Sequence, residues 1–141
     1  DFNCPRVFFS SDDRTYIDNS ISLDNIKIKA EFNNYAANNK CQQQENIAII
    51  PIDVLIVAKP LGNLEEPFLS LPVYVSLLDG NDDILETQYF YVSGTIKKNS
   101  ETNVLIESDI VDKLQIVTEY LNTTQLVIGF MLDYQKRDLL N

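Results

Sequence analysis

Apolar and polar residues alternate along most of the chain with a repeat of two, and the helical repeat of 3.6 is almost absent. The clearest segment is 25–35, where apolar residues face one way and charged or amide residues face the other: Ile26, Ile28, Ala30 and Phe32 against Lys27, Lys29, Glu31 and Asn33. One apolar side and one polar side are typical of an antiparallel sheet with one face in water.

Other segments also have the alternation, or the β-branched and aromatic residues, of strands, and short polar stretches separate them. They are residues 6–10, 47–58, 68–78, 84–92, 103–107, 113–117 and 125–132. Residues 68–92 form the clearest hairpin. Its turn at 79–83 contains Gly80, which can adopt a positive φ without strain.

The polar segments between these strands are predicted to be turns and loops. Residues 11–14 form one of them, and their acids are expected to lie in water. Residues 35–46, rich in Asn and Gln, are predicted to be a solvated loop. Pro51 has no N–H to donate, which suggests a sheet edge or a bulge near the start of the strand 47–58.

Seven or eight short strands without a long helix predict an all-β fold. We expect a single immunoglobulin-like β-sandwich domain of antiparallel strands over residues 1–141, with a closed barrel as the alternative. The last strand should be central, with Leu126, Ile128 and Phe130 in the core. Residues 133–141 can form one or two helical turns capped by Asp133. Strands should hold more than a third of the residues and helix less than about a tenth.

Composition excludes several classes of function. The net charge is -10, from 11 basic and 21 acidic residues, which argues against binding to nucleic acid or to anionic lipid. The chain has no His, so sites that depend on a histidine base or ligand are excluded. The turn at 79–83 is too short for the twelve-residue calcium loop of an EF-hand. We therefore expect no enzyme activity, no catalytic residue, no cofactor and no metal.

Three tyrosines of the predicted hairpin, Tyr74, Tyr89 and Tyr91, are the candidate interaction surface. Amphipathic aromatic residues are enriched at interfaces, although they are also common in ordinary strands. The sequence does not decide which side of the strand 84–92 is buried. Either Phe90 and Val92 face the core, or Leu85, Tyr89 and Tyr91 do. The acidic balance predicts a protein partner with a basic face and binding that weakens as salt rises.

Two cysteines, Cys4 and Cys41, permit one disulfide, and two buried free thiols are the alternative. A bridge would close a loop of about 38 residues and stabilise the fold by about 4 kcal/mol on a chain-entropy estimate. It would also hold an N-terminal segment that would otherwise fray.

Several local patterns occur in order along nearly the whole chain. Cys-Pro-Arg-Val at 4–7 precedes the first strand, and a second Cys stands just ahead of the long apolar strand. Leu-Pro-Val-Tyr-Val-Ser-Leu-Leu-Asp-Gly-Asn follows at 71–81, and Leu-Val-Ile-Gly-Phe-Met-Leu follows at 126–132. This ordered set resembles a family of uncharacterised alphaproteobacterial envelope proteins of lipoprotein type.

The resemblance implies a periplasm-facing β-sandwich, in the periplasm or on the periplasmic face of the outer membrane of a Gram-negative cell. It also implies a signal peptide and a lipid anchor on a cysteine upstream of Asp1, which would be the chain's only link to the membrane. Cys4 and Cys41 would be disulfide partners. The expected function is non-enzymatic contact with envelope proteins; the alternative is a carbohydrate- or peptidoglycan-binding module.

Overall fold

The structure is a computed structural model that describes residues 2–18, 27–38, 40–62, 64, 67–133, 137–138 and 140–141. The described residues form nine strands, which contain more than half of the chain. The strands are β1 (Arg6–Phe9), β2 (Thr15–Ile17), β3 (Ile28–Asn38), β4 (Gln42–Gln44), β5 (Ile47–Pro60), β6 (Phe68–Leu78), β7 (Ile84–Thr95), β8 (Ser108–Thr118) and β9 (Gln125–Phe130).

The strands form two sheets. Sheet 1 has the order β1-β9-β6-β7, in which β1 runs parallel to β9 and the other pairs are antiparallel. Sheet 2 is built around β5. Strands β3 and β4 pair with one edge of β5 and β8 pairs with the other, while β2 extends the sheet beyond β3.

The two sheets pack through their alternating apolar faces, so the all-β sandwich is confirmed. On β5 the residues Ile50, Ile52, Val54, Ile56 and Ala58 are fully buried. From sheet 1, Leu126, Ile128 and Phe130 are also fully buried, and β9 lies between β1 and β6, as predicted. The ring of Phe32 stacks on Phe9 and on Phe130, with ring centroids 4.9 Å and 4.1 Å apart, and so joins the sheets.

The strand order is not that of an immunoglobulin constant domain, in which the first, second, fourth and fifth strands share one sheet. Here β1 shares a sheet with β6, β7 and β9. The immunoglobulin-like detail is therefore not confirmed. The barrel alternative is also not observed, because no backbone ladder joins the two sheets in the described part of the chain.

Two loop and strand predictions are wrong. Within residues 35–46, β3 continues to Asn38 and β4 forms a short hairpin with β5 through a turn at Glu45, whose φ is 58°. Residues 103–107 are not a strand but carry one isolated bridge, between Lys98 and Leu105, and β8 is longer than predicted. Pairing with strands far along the chain decides the structure of both segments, and the polarity of the segments does not reveal that pairing.

Two expectations based on backbone conformation also differ from the structure. Pro51 lies in the central strand β5 and not at a sheet edge. Among the described residues, β3 pairs with β5 as far as Ile52 and β4 pairs with it from Ile49, while Pro51 lies opposite Gln115 of β8. The changeover between β3 and β4 is where a residue without an N–H is tolerated. In the hairpin turn Asp82, and not Gly80, has the positive φ, of 63°.

Among the described residues, the longest strand edge without a ladder is that of β3 beyond its pairing with β2, and the other edges are short or lie against another strand. The long edges of β7 and β8 lie against each other and are joined by side-chain hydrogen bonds. The Gln88 amide donates to the carbonyl of Val117, and the Thr118 hydroxyl donates to Glu86. The other outer strands, β1, β2 and β4, are only three or four residues long. Short edges of this kind discourage pairing with a strand of another chain.

Cys4 and Cys41 form the predicted disulfide, with their Cα atoms 5.3 Å apart. The bridge ties the segment before β1 to the corner between β3 and β4. At the other end of the chain, the Arg137 N–H donates to the carbonyl of Asp133, and the Asn141 N–H donates to the carbonyl of Arg137. These are the bonds of helical turns, although residues 134–136 and 139 lie outside the described residues. No helix among the described residues is long and apolar enough to cross a membrane.

Candidate functional site

The three predicted tyrosines lie together on the outer surface of sheet 1. In the pairing of β6 with β7, Tyr74 lies opposite Tyr89, and Pro72 lies opposite Tyr91. Val92 is fully buried, which settles the open question of the strand: β7 turns Tyr89 and Tyr91 outward, where they are 65% and 71% exposed. The sandwich decides this, because residues on β7 that pair with the inward residues of β6 must also face the core.

We give the name tyrosine face to those outward residues of β6, β7 and β9 that lie away from the turn between β6 and β7. They are Phe68, Ser70, Pro72, Tyr74, Ser76, Thr87, Tyr89, Tyr91, Ser93, Thr95, Val127 and Gly129. None of them is charged, although 23% of the chain is. Hydroxyl groups pair across the strands, with Ser76 and Thr87 oxygens 3.0 Å apart and the Ser93 hydroxyl 3.4 Å from that of Ser70.

The outer surface of sheet 2 has the opposite character. Its outward residues include six charged ones: Lys29, Glu31, Asp53, Lys59, Asp109 and Lys113. Two ion pairs cross this surface, Lys29 with Glu31 at 3.4 Å and Lys113 with Asp53 at 3.9 Å. The outer face of sheet 2 therefore carries charged side chains among apolar ones such as Leu55 and Val111, whereas the tyrosine face carries none; on sheet 1 the outward charge is Arg6 of the edge strand β1. Charge depletion with exposed aromatic residues is typical of interface cores.

Tyr74 differs from the other two tyrosines because it is half-buried and its hydroxyl is bound. The hydroxyl donates to Oδ2 of Asp13 at 2.5 Å. Burial, reinforced by this hydrogen bond, raises the pKa of Tyr74 to about 12. The ring lies over Gly129, where an added Cβ would come within 2.5 Å of ring and hydroxyl atoms. Tyr74 therefore supports the tyrosine face from one side, while Tyr89 and Tyr91 provide its free surface.

Asp13 is the partner that sequence reasoning missed. It is 4% exposed, against the expectation that acids of the 11–14 turn lie in water. Its Oδ1 accepts from Arg137, at 2.9 Å from Nε and 2.8 Å from the terminal nitrogen. The Asn141 amide also donates to the carbonyl of Asp12. We call the group Asp13, Tyr74 and Arg137 the C-terminal latch, because it holds the last helical turn against the loop after β1. No local sequence signal identifies these partners.

The acidic turn between β6 and β7 is held by hydrogen bonds within the turn. Oδ1 of Asp79 accepts from the N–H groups of Asn81 and Asp83, at 2.9 Å and 3.1 Å. This is the pattern of an Asx turn, in which the side chain replaces a backbone acceptor. Among the described residues, no three His, Cys, Asp or Glu side chains come together as a set of metal ligands.

Two open grooves lie at the end of the sandwich that carries the disulfide. The larger has a volume of about 530 Å³ and is lined by Phe2, Cys41, Gln42, Gln43 and Glu45. The second, of about 250 Å³, shares two of these residues and adds the loop after β8; it is lined by Phe2, Asn3, Gln43, Leu121, Asn122, Thr123 and Thr124. The second is lined mainly by amide and hydroxyl groups, and the larger combines the amides of Gln42 and Gln43 with the carboxylate of Glu45. Such groups can bind a polar ligand.

Comparison with protein-family models, with curated proteins and with solved structures gives no match. The resemblance to envelope lipoproteins therefore stays a prediction, and the geometry of the chain itself carries the functional argument.

Proposed function

We propose that this chain is a non-enzymatic binding domain that contacts another protein through the tyrosine face. The observation that carries the proposal is the tyrosine face itself, whose residues carry no charge and include the highly exposed Tyr89 and Tyr91, in a chain of net charge -10. Tyrosine offers a large rigid contact area at little cost in conformational entropy, and such residues dominate binding energy when a partner desolvates them.

The distribution of strand edges supports a contact through a face. A partner strand needs a long open edge for pairing. Among the described residues, β7 and β8 lie along each other and β1, β2 and β4 have three or four residues, so the longest edge left to a partner strand is that of residues 32–38 of β3. The tyrosine face, by contrast, spans three neighbouring strands of sheet 1.

The proposal includes an extracytoplasmic location, in the periplasm or on the periplasmic face of the outer membrane, with tethering by a lipid on an upstream cysteine. The Cys4–Cys41 disulfide supports an oxidising compartment, because such bonds persist there and are rare in the cytosol of most cells. The tyrosine face has no negative charge with which to attract a basic partner. The prediction of a basic partner therefore applies to contacts with other, acidic parts of the surface.

The test is crosslinked capture of partners from intact envelopes. The variant Tyr89→Thr/Tyr91→Thr removes both rings and keeps residues that suit a strand. The control is Val111→Thr on the outer face of sheet 2, where the side chain is 68% exposed. We expect the wild type and the control to capture the same protein and the double variant to lose it at unchanged unfolding midpoint. Equal capture by all three proteins would remove the tyrosine face as the site.

A carbohydrate-binding module is the second candidate, and the grooves beside the disulfide favour it. Their amide groups, with the ring of Phe2, suit the hydroxyls and apolar faces of sugars. The chain lacks Trp, so tyrosine fluorescence can be measured directly during titration with peptidoglycan fragments and neutral oligosaccharides. Saturable binding that Gln43→Ala weakens and Tyr89→Thr/Tyr91→Thr does not would favour this candidate over the first.

A further inference from the structure

We infer that the occupant of the tyrosine face is a second copy of this chain, which forms a weak symmetric dimer. This inference rests on the proposed function, because it names the partner of the same face. Homo-oligomers with twofold symmetry are the commonest oligomers, and their interface places one surface patch against itself. The patch must therefore be complementary to itself in charge, hydrogen bonding and shape.

Charge selects this face for self-contact. Each copy carries a net charge of -10, so two copies repel unless their acidic groups stay apart. Self-contact through the turn between β6 and β7 would bring Asp79, Asp82 and Asp83 of each copy near those of the other. The outer face of sheet 2 would expose its ion pairs to desolvation. The tyrosine face contains no charged side chain, and the charges at its border are Arg6 on the outward side of β1 and the paired Asp13 and Arg137 at Tyr74.

Hydrogen bonding also favours a second copy. The polar groups of the face are hydroxyls, from Ser70, Ser76, Thr87, Ser93 and Thr95 together with the tyrosines. A hydroxyl both donates and accepts, so hydroxyls of one copy can bond to those of another, even where they already pair within the chain as Ser76 does with Thr87. An ionised carboxylate face only accepts and would need a partner that supplies donors. Tyr89 and Tyr91, two residues apart on one strand, supply the apolar contact between the copies.

The size of the face sets the strength. Three strands about 4.8 Å apart and about eight residues long, at about 3.3 Å per residue, cover roughly 400 Å². Stable dimers bury about 800 Å² on each partner. The C-terminal latch further covers the Tyr74 side, so the contact is centred on β7. The contact area is smaller than that of a stable dimer, so we expect a weak dimer that forms at high protein concentration.

Sedimentation equilibrium of the purified chain, from 5 µM to 1 mM, tests the inference. The weight-average mass should rise from 16.1 kDa towards twice that value as concentration increases. Because the contact is uncharged and the rest of the surface repels, raising NaCl from 50 to 500 mM should leave Kd unchanged or lower it. A basic partner would show the opposite salt effect.

The variant Tyr89→Thr/Tyr91→Thr should raise Kd at least about 10-fold, and Val111→Thr should leave it unchanged. A mass of 16.1 kDa at every concentration overturns the dimer. So does self-association that Val111→Thr disrupts and the tyrosine variant does not. A monomer whose tyrosine fluorescence responds to a neutral oligosaccharide overturns it in favour of a sugar ligand.

The two proposals can fail separately. If the chain stays monomeric but the tyrosine variant still loses a crosslinked envelope protein, the dimer is overturned and the proposed function stands. If neither self-association nor capture depends on the two tyrosines, both are overturned.

Discussion

Gly129→Ala should destabilise the protein through one contact, that between the new methyl group and Tyr74. The added Cβ would lie 2.5 Å from the ring and hydroxyl atoms of Tyr74, so the ring must move. The hydroxyl would then leave Asp13, which is 4% exposed and holds it at 2.5 Å. Gly129 has no positive φ, so the effect contains no backbone strain.

The magnitude combines two opposing contributions. Hydrogen bonds to charged groups contribute about 1.5–3 kcal/mol, and the half-buried position of Tyr74 places this one at the lower end. Replacing Gly by Ala within a strand returns about 0.5–1 kcal/mol of backbone entropy. The net loss in the free energy of unfolding should therefore be about 0.5–1 kcal/mol.

A double-mutant cycle in urea, with the disulfide intact, measures this coupling. In the Tyr74→Ala background the methyl group meets no ring, so Gly129→Ala should be neutral or slightly stabilising. Gly80→Ala is the matched control, because nothing lies within 4 Å of its Cβ, and it should change stability by less than about 0.5 kcal/mol. An equal cost of Gly129→Ala in both backgrounds would refute the steric explanation.

Three further predictions test the C-terminal latch, the disulfide and the core. The pKa of Tyr74 rises from 10.0 to about 12 on folding, so its contribution to stability is complete below pH 10 and is lost between pH 10 and 12. Urea unfolding from pH 9 to 12 should show this decline, and Tyr74→Phe should reduce its slope without abolishing it, because burial also raises the pKa of Tyr16. Cys41→Ser should lower the free energy of unfolding by about 2–5 kcal/mol, and denatured wild type should show no reactive thiol; two titratable thiols would contradict the bridge. Phe130→Ala should lower the free energy of unfolding by about 3–5 kcal/mol because the ring is fully buried. Phe8→Ala, at a side chain that is 44% exposed, should lower it far less. Similar losses for both variants in chemical denaturation would contradict the assignment of Phe130 to the core.

The tyrosines show how far the candidate site could be predicted. The sequence places three of them on one hairpin, and the structure keeps them on one face. The sequence does not show that Tyr89 and Tyr91 are exposed while Tyr74 is bound, because the partner of Tyr74, Asp13, lies 61 residues away. Nor could it indicate that Arg137, 124 residues from Asp13, would complete the latch. A carboxylate in a polar turn has the same local sequence whether water or a distant guanidinium surrounds it.

The sequence by itself determined which residues enter the core along β3, β5, β6 and β9. Successive side chains of a strand point to opposite sides, so a period of two assigns the buried set from local information alone. That rule needs no knowledge of neighbouring strands. It did not decide β7, where both sides are partly apolar and only pairing with β6 turned Val92 inward.

Only the tertiary structure decided which outward residues become neighbours. Phe68, Tyr91 and Val127 come from different strands, and no single strand reveals that the surface they share lacks charge. Pro51 likewise lies in a central strand only because the partners β3 and β4 change over beside it. Strand pairing joins residues that are far apart in the sequence. The pairing register therefore decides which residues share a sheet face, and local periodicity does not give that register.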